Sequence, residues 1–198
     1  MSPLAFGIGK SRGTLFDPAV FYCNYLVFNH NWTDGKDLDL IASFLYPNID
    51  GACGSRQGNE ITNAEGTIVY MKWGGDNTED TVGYESIYID VPAIKQIPGF
   101  AGDEIELDLR AIWYSEVGQD PVIVTADGYQ GGNMLLESET PNVPGYGFLN
   151  PTSTNSYINY KATNGKQLQS TNREDSGQRL TRAKINLNSY SLTFVEDD

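Results

Sequence analysis

Histidine, cysteine and positive charge are all scarce in this chain of 198 residues, and each shortage excludes a class of function. The one histidine, His30, cannot build a histidine-rich zinc site, and no Gly-x-Ser-x-Gly nucleophile motif is present. We therefore expect no enzyme, and we expect His30 to lie on the surface at a turn. The two cysteines, Cys23 and Cys53, are too few for a disulfide framework.

Acidic residues outnumber basic ones by 26 to 13, which gives a net charge of −13 and a pI near 4.3. Such a surface repels nucleic-acid phosphates and anionic membranes, so we expect neither as a partner. No apolar run approaches the roughly 20 residues of a membrane span, and no basic stretch with an apolar core begins the chain, so we expect no signal peptide. Excess carboxylates suit hard divalent cations, although acidity that serves solubility alone fits the composition equally.

Alternation of apolar and polar residues runs through most of the chain and predicts strands. The alternation is clearest over Asp103–Tyr114, whereas Val20–Phe28 is apolar on both faces, as is typical of a central strand. Further strands are predicted at Leu38–Phe44, Thr67–Trp73, Ser86–Asp90, Pro121–Ala126, Ser156–Lys161, Arg179–Leu187 and Tyr190–Val195. Short strands separated by Gly, Asn and Asp turns predict an all-β fold, an antiparallel β-sandwich with long loops and little helix. One short helical turn is predicted within Val91–Ile97.

The composition changes after about Gly131. Residues 139–155 are rich in Pro, Asn, Ser, Thr and Gly, and residues 165–177 contain almost no core-forming side chains. We therefore predict a sandwich core over residues 1–131. Residues 132–198 form a Gly/Asn/Ser-rich extension that completes or decorates the sandwich, and we expect it in interfaces with other protein subunits.

Two acidic turns offer metal-ligating chemistry. In the first, Asp37 and Asp39 are two residues apart, so in an extended chain their side chains leave one face roughly 6–7 Å apart. Like charges this close repel unless a cation bridges them or water screens them. The second turn, Gly74–Asp80, supplies oxygens from Asp76, Asn77, Glu79 and Asp80. Two such turns side by side have the oxygen ligands that calcium requires, and two separate solvated turns are the ordinary alternative.

Three motifs follow one another in a defined order. Asp34–Leu45 reads DGKDLDLIASFL, Asn63–Tyr70 reads NAEGTIVY and leads to Gly75-Asp76-Asn77, and Glu85–Pro92 reads ESIYIDVP. They resemble the DG-x-D-x-D-L run with its Ala-Ser strand, the strand with a GDN turn, and the acidic residue before a strand with a Val-Pro step in TerD-like (tellurium-resistance, calcium-binding stress) proteins. The resemblance covers about residues 20–125.

The resemblance implies a β-sandwich that binds calcium through acidic loops. Carried over position by position, the calcium ligands are Asp37, Asp39, Asp76 and Asn77, with Glu85 at the place of the family's downstream acid. The sequence departs from the family at Gly83 and Tyr84, which stand where a pair of aspartates is usual. Glu79 or Asp80 is the candidate replacement.

Three functions fit these observations. The first is a non-enzymatic, calcium-binding structural or assembly protein, a component of a phage virion. The second is a cytoplasmic stress-response protein of the tellurium-resistance type, which would also bind calcium. The third is a carbohydrate-binding or carbohydrate-active protein in which Trp32, Trp73 and Trp113 stack on sugars, although core packing is the commoner role of tryptophan. The lack of catalytic residues favours the first.

Overall fold

A computed structural model describes residues 23–78, 83–138, 145–149, 161–171, 176–189 and 191–196. Two antiparallel sheets pack face to face in an all-β sandwich, as the alternating pattern predicts. The strands are β1 (Tyr25–Trp32), β2 (Leu38–Tyr46), β3 (Cys53–Gly54), β4 (Glu60–Thr62), β5 (Val69–Trp73), β6 (Gly83–Asp90), β7 (Glu104–Trp113), β8 (Ile123–Tyr129), β9 (Leu135–Leu136), β10 (Phe148–Leu149), β11 (Lys161–Ala162), β12 (Gln178–Asn186) and β13 (Ser191–Val195). One short helix, α1 (Val91–Ile94), follows β6.

The strand order of each sheet determines which loops meet at each end of the sandwich. The six-stranded sheet has the order β11-β8-β1-β6-β5-β4, and the five-stranded sheet has the order β13-β12-β7-β2-β3. A small two-stranded sheet pairs β9 with β10. Because β2 and β7 are antiparallel, with Leu38 opposite Trp113, the start of β2 and the end of β7 lie at the same end.

Apolar side chains from alternate positions of both sheets form one core. In β7 the inward positions are all fully buried, and they are Ile105, Leu107, Leu109, Ala111 and Trp113. The facing positions of β6 include Ile87 and Ile89, which are also fully buried. The alternation in the sequence is therefore the alternation between core and outer face.

Strand β1 lies further along the chain than the sequence predicted. The prediction ran over residues 20–28, of which residues 20–22 lie outside the described residues, and β1 continues to Trp32. The prediction of His30 as a surface residue is wrong, because His30 is fully buried between Phe28 and Trp32 on the core face. His30 lies two residues from Phe28 and two from Trp32, so all three side chains point to the same face of the strand. The polar residues on either side of His30 interrupt the apolar run in the sequence, so the sequence pattern does not show that the strand continues.

Other elements agree with the sequence to within a few residues. Seven further strands lie within or overlap the predicted segments, namely β2, β5, β6, β7, β8, β12 and β13. The predicted helical turn corresponds to α1. The side chain of Asp90 caps this helix by accepting a hydrogen bond from the N–H of Ala93 at 2.9 Å. Of the segment predicted at residues 156–161, only Lys161 is described, and it begins β11. The described residues contain no helix long and apolar enough to cross a membrane.

Residues 178–195 supply two strands of the five-stranded sheet, and β12 lies directly beside β7. On the outer face, the buried carboxylate of Asp108 on β7 accepts hydrogen bonds from Arg179 Nε at 2.7 Å and Nη2 at 3.0 Å. Arg110 Nε lies 3.2 Å from the same carboxylate. A two-pronged arginine contact of this kind fixes the geometry of two neighbouring strands.

Side chains connect the outermost strands of the two sheets along one seam of the sandwich. Lys161 on β11 donates a hydrogen bond from Nζ to the carbonyl oxygen of Leu192 on β13. Asn164 donates from its backbone N–H and from Nδ2 to the carboxylate of Glu196, at 3.0 and 3.1 Å. The seam therefore joins the sheets through polar side chains rather than through a further strand.

Truncation of a buried side chain on β12 tests whether residues 178–195 belong to the same cooperative core. Ile185→Ala should lower the free energy of unfolding by about 2–5 kcal/mol, as Leu107→Ala on β7 should, because both side chains are fully buried in one core. Urea unfolding followed by tryptophan fluorescence and by far-UV circular dichroism should give one transition. Thr193→Ala, at an exposed position of β13, is the control and should change little. A separate transition for Ile185→Ala would contradict a single core.

Candidate metal centre

Three aspartates bring their carboxylates together at the end of the sandwich where β2 begins. Asp37, Asp39 and Asp76 each offer one oxygen, and these oxygens all lie within 4.8 Å of one another. Asp39 is buried, Asp37 is half-buried and Asp76 is exposed, so the cluster opens to solvent on the side of Asp76. Three negative charges at this separation repel one another strongly unless a cation or bound protons offset them.

Local backbone contacts position the two turns that carry these aspartates. The carbonyl oxygen of Asp37 accepts a hydrogen bond from the N–H of Tyr114 at 2.9 Å, which fixes the residue just before β2. The N–H of Gly74 donates to the carbonyl oxygen of Ser86 at 2.8 Å, and Gly75 has a φ of +111° that favours glycine. A side chain on Gly74 would collide with the carbonyl group of Tyr146, so this turn requires both glycines.

The fully buried carboxylate of Glu85 connects the two sheets with the acidic turn. Its Oε2 accepts hydrogen bonds from the N–H of Leu40 at 2.9 Å and from Trp73 Nε1 at 3.3 Å. Its Oε1 accepts a hydrogen bond from the N–H of Asn77 at 3.0 Å. These three donors belong to β2, to β5 and to the turn after β5, so one side chain anchors all three segments.

The bonds of Glu85 bear directly on the aspartates. Leu40 is the residue after Asp39, and Asn77 is the residue after Asp76. By binding the N–H of each following residue, Glu85 holds the backbone of both aspartates at a fixed separation. The geometry therefore supports a positioning role of Glu85 toward the two aspartates, and the calcium ligand that the resemblance implies at this place stays a prediction.

The electrostatics of the cluster favour either protons or a cation. Burial raises the pKa of Glu85 well above its ordinary value, and the charges of Asp39 and Asp76 raise it further, against the N–H groups of Leu40 and Asn77, which lower it. Burial also raises the pKa of Asp76. A bound divalent cation would instead lower these pKa values, because it stabilises the charged form of each carboxylate around it.

Asn77 and Gly83 pack against each other beside the cluster. Asn77 is buried, and its Nδ2 donates a hydrogen bond to the carbonyl oxygen of Tyr84 at 3.3 Å. A side chain on Gly83 would meet both Asn77 Nδ2 and the indole of Trp32. This crowding is a physical reason for glycine at a position where the TerD-like pattern has an aspartate. Glu79 and Asp80, the predicted replacements, lie outside the described residues.

The sequence did not reveal the contribution of Glu137. Its Oε2 accepts a hydrogen bond from the hydroxyl of Tyr84 and another from the N–H of Gly147 at 3.1 Å. These bonds hold residues 145–147 against β6 and against Gly74 at the start of the acidic turn. Glu137 is 53 positions from Tyr84, and no local pattern marks it as a partner.

The donor set is made entirely of oxygen. Carboxylate oxygens in a site without histidine or cysteine suit calcium or magnesium and do not suit zinc or copper. Comparison of the chain with protein-family models, with curated proteins and with solved structures finds no match in any of the three. The TerD-like resemblance therefore stays a prediction that rests on its motifs.

Replacement of Glu85 should change the pH dependence of stability of the metal-free protein. The pKa of Glu85 is raised in the folded state, so folding favours the protonated form, and the contribution of Glu85 to the free energy of unfolding falls as pH rises from the ordinary value near 4.5 through the raised one. Because Gln cannot titrate, the stability of wild type relative to Glu85→Gln should fall over that window, by up to roughly 1.4 kcal/mol per pH unit. Urea titrations in chelator at a series of pH values measure this difference. Parallel profiles for the two proteins would contradict the assignment.

Proposed function

We propose that this chain is a non-enzymatic, calcium-binding β-sandwich of the TerD-like kind that serves as a structural or assembly protein, as a component of a phage virion. The observation that carries the proposal is the convergence of three carboxylates from two distant turns. Asp37 and Asp39 precede or begin β2 of one sheet, while Asp76 follows β5 of the other. A cation held by all three would join the two sheets at this end.

Calcium suits this donor set better than magnesium. Calcium takes about six to eight oxygens in variable geometry and accepts two-pronged carboxylates, whereas magnesium demands a near-ideal octahedron. Three carboxylates bring up to six oxygens, and the exposed side near Asp76 leaves room for water. Backbone carbonyls of the turn that begins at Gly74 are further candidate ligands.

The position of the histidine supports a binding function rather than catalysis. His30 is fully buried in the core, and burial lowers its pKa to about 3. An imidazole in this position can neither reach a substrate nor take up a proton near neutral pH. Glu85, whose pKa burial raises well above its ordinary value, accepts hydrogen bonds from N–H groups of its own chain and is also inaccessible to a substrate.

The mechanical effect that a bound metal would have supports the assembly role. A cation between the start of β2 and the turn after β5 would stiffen one end of the sandwich and present it as a defined surface to other subunits. The runner-up, a cytoplasmic stress-response protein of the tellurium-resistance type, would use the same metal centre. The two differ in whether copies of the chain join a large particle.

Calcium should stabilise the protein through the aspartate cluster. At a free calcium concentration of about 100 times Kd, the stability should rise by about 2.7 kcal/mol, which corresponds to roughly 5–10 °C in Tm. Asp39→Asn should reduce this shift strongly, because it removes one charge from the buried part of the cluster. Differential scanning calorimetry with calcium and with chelator measures the effect.

A matched control comes from the opposite end of the five-stranded sheet. Asp103 is exposed and directly precedes β7, whose far end lies beside the cluster. Asp103→Asn should keep the full calcium-dependent shift. An unchanged Tm between calcium and chelator in the wild-type protein would overturn the metal-binding proposal. An equal loss of the shift in both variants would show a general charge effect instead.

The state of association separates the two roles. If the chain is an assembly protein, sedimentation velocity at rising concentration with calcium should reveal large, regular assemblies, and electron microscopy should show a repeating arrangement. Chelator should weaken these assemblies if the metal-stiffened end takes part in the contacts. A monomer or small oligomer under all of these conditions would favour the stress-response role.

A further inference from the structure

A short two-stranded ribbon from the C-terminal third of the chain lies on the outer face of β6. It consists of residues 135–138 and 145–149, in which β9 and β10 pair antiparallel with Leu136 opposite Phe148. The ring of Phe148 is buried and meets the ring of Tyr88 edge to face, at a centroid distance of 4.8 Å and an angle of 88°. The β9–β10 ribbon is therefore packed against the six-stranded sheet.

Two glycines of the ribbon close around Tyr84 of β6. The Tyr84 hydroxyl donates a hydrogen bond to Oε2 of Glu137, and the same oxygen accepts one from the N–H of Gly147 at 3.1 Å. A side chain on Gly145 would collide with Glu137 Oε2 and with the Tyr84 hydroxyl. A side chain on Gly147 would collide with the Tyr84 ring. The ribbon can approach Tyr84 this closely because both positions are glycine.

The ribbon also contacts the turn that carries Asp76. The carbonyl oxygen of Tyr146 lies where a side chain on Gly74 would begin, so the ribbon borders the first residue of this turn. Further along the turn, Nδ2 of Asn77 donates a hydrogen bond to the carbonyl oxygen of Tyr84 at 3.3 Å. Asp76 lies between these two contacts in the chain, so both of them restrict the position of its carboxylate.

Strand β6 connects the ribbon with the aspartates through two consecutive residues. Because Tyr84 and Glu85 are neighbours in a strand, their side chains leave opposite faces of the sheet. Tyr84 binds the ribbon on the outer face, while Glu85 binds the N–H groups that directly follow Asp39 and Asp76. These contacts form a continuous path from the ribbon to two of the three clustered carboxylates.

We propose that docking of the β9–β10 ribbon on Tyr84 regulates the metal centre. The docked ribbon holds the acidic turn in the conformation in which the three aspartates meet, and bound calcium in turn holds the ribbon in place. The inference rests on the proposed calcium binding and adds the regulation of that site. Two coupled equilibria change each other by the same factor, so a weakened ribbon must lower the calcium affinity, and calcium must strengthen the docking of the ribbon.

Calorimetric titration of the full chain with calcium chloride tests the first half of this coupling. Tyr84→Phe removes the hydroxyl that binds Glu137 and should raise the Kd for calcium about tenfold, the usual effect of losing a hydrogen bond to a charged group. Glu137→Ala should act in the same way. Glu137→Gln keeps a hydrogen-bond acceptor at this place and should recover part of the affinity. Melting curves in chelator identify a temperature at which every variant is folded.

Two control variants separate positioning of the metal centre from general stability. Tyr46→Phe makes the same chemical change at the end of β2 that lies away from the aspartates, and it should leave the Kd for calcium unchanged. Ile185→Ala destabilises the shared core without altering a residue of the ribbon, so it should lower the Tm in chelator and still bind calcium with the wild-type Kd.

Amide hydrogen exchange measured by NMR on the wild-type chain tests the reciprocal effect. The N–H of Gly147, which is bonded to Glu137, should exchange about tenfold more slowly in calcium than in chelator, because the two effects are reciprocal. Asp39→Asn should remove this difference. The N–H of Ala93, bonded to Asp90 at the start of α1, is the reference and should exchange equally in both conditions.

The outcomes distinguish the regulation from the metal binding on which it rests. An unchanged Kd in both Tyr84→Phe and Glu137→Ala, an equal rise of the Kd in Tyr46→Phe, or equal exchange of Gly147 in calcium and chelator would each overturn the regulation while calcium binding stands. A wild-type Tm that does not respond to calcium would overturn the calcium proposal and the regulation together.

Discussion

The hydrogen bonds of the buried Glu85 carboxylate are the interactions on which the acidic end of this sandwich depends. The carboxylate accepts hydrogen bonds from the N–H of Leu40 in one sheet, from the indole N–H of Trp73 in the other and from the N–H of Asn77 in the acidic turn. Hydrogen bonds from three segments replace part of the water that a buried carboxylate loses, while burial still raises the pKa of Glu85. Glu85 thereby sets the spacing of Asp39 and Asp76 without being one of the clustered carboxylates.

The C-terminal third of the chain also contributes to this end of the molecule. Glu137 holds residues 145–147 against Tyr84, and the carbonyl group of Tyr146 lies where a side chain on Gly74 would be. The turn of Gly74 and Gly75 is therefore enclosed between the six-stranded sheet and the residues around β9 and β10. Asp76 belongs to the same turn, so the conformation of this turn determines where its carboxylate lies in the aspartate cluster.

Much of the fold could be predicted from the sequence, because strands with one buried face carry the alternating pattern that β7 shows most clearly. The pattern fails where strands are very short, as in β3 and β4, or where a polar residue enters the core, as His30 does. The pairing of Asp37 with Asp39 follows from period two, but their approach to Asp76 depends on how two sheets stack. The sequence contains no local signal for that stacking, and it equally lacks one for the bonds of Glu137.

The seam between β11 and β13 has a consequence for how copies of this protein can meet. An outer strand normally presents unpaired backbone groups on which a strand of another molecule can assemble, and this is the usual route to fibres. Here Lys161 already occupies the carbonyl oxygen of Leu192, and Asn164 is bound to Glu196 just beyond the strand. The carbonyl oxygen of Leu192 is therefore less available to a strand from another molecule, so continuation of the sheets at β11 and β13 is disfavoured.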